Sequence, residues 1–264
     1  MSDVSVVELP GLRMRYALSG AAGAPIVVLS HSLGTDLSLW DPQLAAFESR
    51  FRVLRYDCRG HGLTSVPPGP YALEQLGRDV LGLLDALQIP RARFCGLSIG
   101  GLVGMWLGIH AGERILKLAL CNTAAQIGSA ERWNARIETV RSQGIAAIAA
   151  ETLERWFTPA FRARSPETVA AIGRTLEATP VEGYLGCSAA IRDADLRHQV
   201  AAISTPTLVV SGAHDPATPP DQGRQLAAGI ARARYVELEA SHLSNIEAAA
   251  AFDAELLRFL LESP

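Results

Sequence analysis

An α/β fold, with a mostly parallel central sheet flanked by helices and interrupted by one all-helical segment, is predicted by three features of the 264-residue sequence. Short continuous apolar runs such as residues 26–29 and 207–210 alternate with longer amphipathic stretches. This is the pattern of strands buried on both faces and covered by helices. The rhythm stops between residues 125 and 202, where only helical periodicity remains, and then resumes. Ser98 stands in Gly96-Leu97-Ser98-Ile99-Gly100, after one strand-like run and before a helical one, the context in which a G-x-S-x-G turn lifts a serine hydroxyl above a sheet edge.

The elements follow in order. Residues 12–18 read as the first strand, closed by Ser19-Gly20, and Pro25 precedes the buried strand 26–29. A helix is expected over 41–47, with Asp41 as N-cap and Pro42 in the first helical position, where the missing N–H costs nothing. Strand 51–56 comes next, then helix 74–87, whose Leu76, Val80, Leu83, Leu84 and Leu87 share one stripe. Strand 92–95, the serine turn, an apolar helix over 102–110 and strand 115–120 complete the first half. Helices are expected over 131–143, 145–156, 166–177 and 181–191. They make segment 125–202 a cap inserted into a core formed by 1–124 and 203–264. Strand 207–210, helix 219–228, strand 235–238 and helix 249–261 finish the core.

Composition narrows the function. Hydrophobic residues make up 48% of the chain and mean hydropathy is +0.16, enough for a sizeable core. A formal net charge of −3 argues against nucleic acid as a partner, because phosphate binding wants a basic face. No apolar run reaches the roughly 18 residues that span a bilayer, so no membrane partner is expected. Met1-Ser2-Asp3-Val4 does not open a secretory signal, which makes a cytoplasmic location the expectation. Cys58, Cys95, Cys121 and Cys187 are widely spaced and form no C-x-x-C pair. They are read as reduced thiols near strand ends rather than metal ligands. Lys117 is the single lysine, so arginine abundance is a coding habit and a lone Arg carries little information.

A serine hydroxyl becomes a nucleophile only when a base takes its proton, and a third group must orient that base. Two late residues fit the chain order Ser, Asp, His: Asp215, just past strand 207–210, and His242, just past strand 235–238. Like Ser98, both stand at the carboxyl ends of strands, where open α/β sheets bind ligands. Asp57 precedes the serine and is assigned a structural role with Arg59. Cys121 and Asn122, at another end suited to the acid, cannot supply one. His214 is read as a loop residue; His61, His110 and His198 are read as surface or helix residues. The oxyanion hole needs two N–H groups aimed where charge develops. Ile99 N–H, at the start of the helix after Ser98, and Leu33 N–H, in the Ser30-His31-Ser32-Leu33-Gly34 loop, are the candidates, with His31 bracing the loop.

Four segments now carry a resemblance: residues 30–36 (SHSLGTD), 55–62 (RYDCRGHG), 94–101 (FCGLSIGG) and 240–247 (ASHLSNIE). Together they resemble the α/β-hydrolase superfamily and, within it, the 3-oxoadipate enol-lactonases of the bacterial β-ketoadipate pathway. The likeness extends into the expected cap through residues 122–128, 155–158 and 183–191. It implies hydrolysis of a small anionic enol-lactone to 3-oxoadipate with no metal or organic cofactor. The substrate's carboxylate then needs a cation in the cap. Arg132 or Arg136 is the candidate, with Trp133 covering the lactone ring and Trp40 as a further wall. Two other readings stay open: a general small-ester carboxylesterase or cofactor-free haloperoxidase-like hydrolase, and a non-catalytic ligand-sensing protein on the same scaffold. Oligomeric state is not legible.

Overall fold

The computed structural model describes residues 3–262. Eight strands form one sheet: β1 (Asp3–Leu9), β2 (Leu12–Ser19), β3 (Ile26–Ser30), β4 (Arg52–Tyr56), β5 (Ala92–Leu97), β6 (Ile115–Cys121), β7 (Thr207–Gly212) and β8 (Ala233–Leu238). Their spatial order is β1-β2-β4-β3-β5-β6-β7-β8. β2 pairs antiparallel with β1 and β4, and every pairing from β4 to β8 across the sheet is parallel. The fold class read from the sequence is therefore the one observed. Val27, Val28 and Leu29 of β3 are fully buried, as are Leu118, Ala119 and Leu120 of β6, which explains their unbroken apolar runs.

Helices α1 (Leu44–Phe47), α2 (Leu73–Ala86) and α3 (Ile99–His110) lie in the first half of the chain. α3 packs directly on β5 and β6. Five helices lie between β6 and β7: α4 (Ala130–Gln143), α5 (Ala146–Trp156), α6 (Pro159–Arg164), α7 (Pro166–Ala178) and α8 (Val181–Asp193). The neck of this block is tied where Leu196 N–H donates to Ala125 O, 2.8 Å. α9 (Pro220–Gly229), α10 (Ser244–Glu247) and α11 (Ala249–Leu261) complete the chain. α8 seats the helical block on the loop after β4. Gly183 meets Gly60 backbone to backbone, and Gly186 lies against the Tyr71 ring.

Several details differ from the sequence reading. β1 went unread, because its exposed Val4 and Val6 lie on an edge strand that lacks the signature of a doubly buried one. α6 and α10 are too short to show helical periodicity. Residues 37–43 form a 3-10 turn capped by Asp36, whose side chain accepts Ser38 N–H, so Asp41 is not the N-cap. Asp41 instead pairs with Arg55 of β4. Asp57 does not pair with Arg59. It bonds Arg15 of the adjacent strand at 3.1 Å and accepts Leu37 and Leu63 N–H, while Arg59 forms a two-bond pair with Asp79 of α2. Register decides this, since Asp57 N–H donates to Arg15 O and so places the two residues side by side.

Two glycines with opposite surroundings give a stability prediction. A Cβ on Gly183 would strike the Gly60 backbone, whereas a Cβ on Gly82, inside α2, would rest 3.5 Å from Leu9. Gly183→Ala is expected to lower the melting temperature, and Gly82→Ala to add about 0.5–1 kcal/mol through helix propensity. Thermal unfolding followed by circular dichroism checks both signs.

Candidate active site

β5 ends at Leu97, and Ser98 turns the chain into α3 with φ 60° and ψ −115°, a conformation that costs a non-glycine residue roughly 1–3 kcal/mol. Two contacts, one from the end of β6 and one from the turn after it, hold it there. Ser98 N–H donates to Cys121 O at 2.9 Å, and Thr123 Oγ1 donates to Ser98 O at 2.8 Å. The glycines on either side are needed for approach. A Cβ on Gly96 would run into the Gly100 carbonyl, and one on Gly100 into the Ser30 backbone.

Asp215 follows β7 and is only 2% exposed. Its Oδ1 accepts Ala217 N–H at 2.8 Å and Thr218 N–H at 3.1 Å. Its Oδ2 accepts Thr218 Oγ1 at 2.6 Å, Asn122 Nδ2 at 3.1 Å and His242 Nδ1 at 2.8 Å. Burial by itself pushes this carboxyl upward. The charge and hydrogen bond of His242, with the bonds from Thr218, outweigh burial and hold it below the ordinary aspartate range. His242, after β8, is likewise buried. Because Nδ1–H donates to Asp215, Nε2 is the nitrogen left unprotonated in the neutral ring.

Ser98 and His242 line one cavity of about 390 Å3, together with Ser32, Leu33 and Ala217 from the sheet edge and residues of α4, α5 and α8. Neither Leu33 N–H nor Ile99 N–H is spent on a carbonyl among the described residues. Ile99 is the first residue of α3, where amide groups lack helical partners. Two buried imidazoles brace the Leu33 loop. His31 Nδ1 bonds Ser32 O at 2.7 Å and its Nε2 accepts Cys58 N–H at 2.9 Å. His61 Nε2 accepts Gly34 N–H at 3.0 Å, and burial, with His31 close by, pushes His61 down to about 3. His61 is thus an interior brace and not the surface or helix residue expected.

The helical block contributes Arg132, Trp133 and Arg136 of α4 to the cavity. Trp133 Nε1 donates to Ile127 O at 2.7 Å, which sets the indole's orientation. Arg136 is held by Tyr184 Oη and Thr152 Oγ1, both at 2.7 Å, and lies over the Tyr184 ring. Trp40 is not a wall. It is fully buried against Phe252 of α11, because the 3-10 turn directs its apolar side into the core.

The sequence reading missed Thr152, Arg155, Trp156 and Tyr184, all of which line the cavity, and the Asn122 amide beneath Asp215. Thr152, Arg155 and Trp156 recur at helical spacing on α5, a signal that was present but ambiguous between core and site. Arg155 pairs with Glu151 at 2.6 Å. Burial first, then the like charge of Arg136, lowers its proton affinity. The cavity therefore sets three arginines against the single carboxylate of Glu151. All four cysteines are free and buried. Cys187 lies inside α8 rather than near a strand end, and burial raises its thiol, as it does that of Cys95. No group of three or more metal-ligating side chains occurs among the described residues, and none of their helices is long and apolar enough to cross a membrane.

The alpha/beta hydrolase fold family model matches residues 25–249. The chain is 48% identical over 240 residues to 3-oxoadipate enol-lactonase 2 of Acinetobacter baylyi, covering 91% of this chain and 90% of that protein. It is 40% identical to 3-oxoadipate enol-lactonase 1 of the same organism, covering 93% of this chain and 92% of that protein. The crystal structure of the enol-lactonase from Burkholderia xenovorans LB400 superimposes with a TM-score of 0.97 at 51% identity, covering 98% of this chain and 100% of that one. With a strained serine at the strand-to-helix turn, an Asp-His pair on the same sheet edge and these relatives, the chain belongs to the alpha/beta hydrolase family and groups with its 3-oxoadipate enol-lactonases.

Proposed function

We propose that this protein hydrolyses 3-oxoadipate enol-lactone to 3-oxoadipate, the β-ketoadipate-pathway step that its resemblance implies. The observation that carries the reading is one cavity lined by Ser98 and His242 and, from the helical block, by three arginines. A neutral-ester enzyme has no use for such an excess of positive charge; a lactone bearing an acetate arm does.

In this mechanism segment 125–202 is the cap. His242 Nε2 takes the Ser98 proton as Oγ attacks the lactone carbonyl, and Leu33 and Ile99 N–H receive the oxyanion. Asp215 holds the imidazole in the tautomer required and stabilises the imidazolium that forms. Collapse of the tetrahedral species breaks the ring C–O bond, and His242 returns the proton to the departing enol oxygen. The enol stays tethered to the acyl-enzyme, and its tautomerisation to the ketone removes the nucleophile that would re-close the ring. Water, deprotonated by His242, then attacks the ester, and Ser98 leaves with the proton. The substrate carboxylate sits among Arg132, Arg136 and Arg155, and Trp133 covers the ring. Arg136 is the anchor, because Tyr184 and Thr152 preset its guanidinium.

Loss of enol-lactone absorbance with purified protein is the direct test. Ser98→Ala should reduce kcat on the order of 10⁵-fold with the melting temperature retained; near-normal turnover would remove Ser98 as nucleophile. Arg136→Met should raise KM for the lactone by about tenfold or more, the weight of one charged hydrogen bond, and leave a neutral aryl acetate within about twofold. Equal losses on both substrates would take Arg136 out of carboxylate binding. A third measurement concerns acid stability. The depressed Asp215 pKa means its stabilisation is complete above the unfolded value of about 4 and is lost as pH falls through the lower folded value. Asp215→Asn should therefore flatten the fall in melting temperature below about pH 4, and an unchanged slope would show that Asp215 is not held ionised.

A further inference from the structure

Glu247 closes α10, five residues after His242, and no step above uses it. Its carboxylate joins two parts of the molecule. Oε2 accepts Ser241 N–H at 3.0 Å and Thr158 N–H at 3.2 Å, and Oε1 accepts the Thr158 hydroxyl. Ser241 immediately precedes His242. Thr158 is the N-cap of α6 in the helical block, its Oγ1 accepting Phe161 N–H at 3.2 Å.

The same junction is sewn by backbone groups on both sides of the imidazole. Ser241 Oγ donates to Arg155 O at 2.8 Å, and Leu243 N–H donates to Trp156 O at 3.1 Å. Both acceptors belong to the last turn of α5, whose carbonyls have no helical partner. Arg155 and Trp156 direct their side chains into the cavity while their carbonyls hold the residues flanking His242. The end of α5 and the His242 loop therefore cannot shift independently while Glu247 clamps the next turn of chain to Ser241.

We propose that Glu247 is a positioning residue that locks the α5–α6 junction of the helical block to the His242 loop, so that the wall contacting the substrate arm and the general base move as one unit. The carboxylate suits the task chemically. All three groups it meets are donors, and its two oxygens accept them without presenting a proton of their own.

This inference rests on His242 being the base for Ser98, so that reading is checked separately. Inactivation by a neutral organophosphonate ester should be fast in the parent protein and absent in Ser98→Ala; failure there sinks the triad, whatever Glu247 does. Three variants then test the lock with the enol-lactone and a neutral aryl acetate. Glu247→Ala should lower kcat on both substrates by about tenfold or more, since small displacements of catalytic groups are costly, and should raise KM for the lactone. Glu247→Gln keeps a carbonyl oxygen for the two N–H donors and should recover most of kcat. Thr158→Val removes the hydroxyl bond on the helical-block side and leaves the Thr158 N–H bond and the Ser241 side in place. It should raise KM for the lactone about threefold or more while kcat on the aryl acetate stays within about twofold. The proposal is overturned if Glu247→Ala merely lowers the melting temperature with kcat and KM unchanged, or if the glutamine variant is as impaired as the alanine one. Should Glu247→Ala not fold, Thr158→Val leaving lactone KM unchanged overturns it equally.

Discussion

A carboxylate that is almost wholly buried must be surrounded by donors or it will not stay charged, and Asp215 imposes that condition on the whole sheet edge. An uncompensated buried ion costs several kcal/mol. Here the compensation comes from the turn after β7, from Asn122 after β6 and from His242 after β8. Asn122 does more than one task. Its Nδ2 also reaches Ser241 O, and its Oδ1 accepts the Ser244 hydroxyl at 2.5 Å. Three loops that are far apart in sequence thus share one polar network, in which each bond fixes the geometry of the next.

The strained serine and the loop before it are restrained from different directions. The end of β6 and Thr123 just beyond it hold Ser98 in its positive-φ conformation, and glycines let α3 start directly above β3 and β5. On the other side His31 and His61 accept backbone N–H groups of the Cys58 and Gly34 turns, joining the loop after β3 to the loop after β4. The candidate site residues lie on irregular loops, yet each loop is tied to a rigid neighbour by at least one buried hydrogen bond. Their precision derives from the sheet.

The helical block contributes through arginines that restrain one another's surroundings. Arg136 is fixed by Tyr184 and Thr152, and Arg155 is balanced by Glu151. A preset cation binds an anion at a smaller ordering cost than a freely rotating one. That explains why an arginine-rich surface, unremarkable across this chain, becomes informative inside a cavity of this size.

Strands β2 to β8, the run of helices between β6 and β7 and the strand-end places of Ser98, Asp215 and His242 were legible in the sequence, because they depend on local periodicity, turn chemistry and chain order. The α11 range matches the 249–261 read from the sequence, and the elbow announced itself through its glycines and flanking strand. What the sequence could not say was which surface each side chain would meet. Asp57 two residues before Arg59, Trp40 shortly after the loop that follows β3, and Arg155 on an amphipathic helix each admitted two environments. The choice between them is made by strand register and helix packing, which bring together residues distant in the chain: Asp57 with Arg15, Trp40 with Phe252, Arg155 with Ser241. Local sequence determines the conformations that neighbours allow, and only the tertiary structure decides which distant groups supply a buried side chain's contacts.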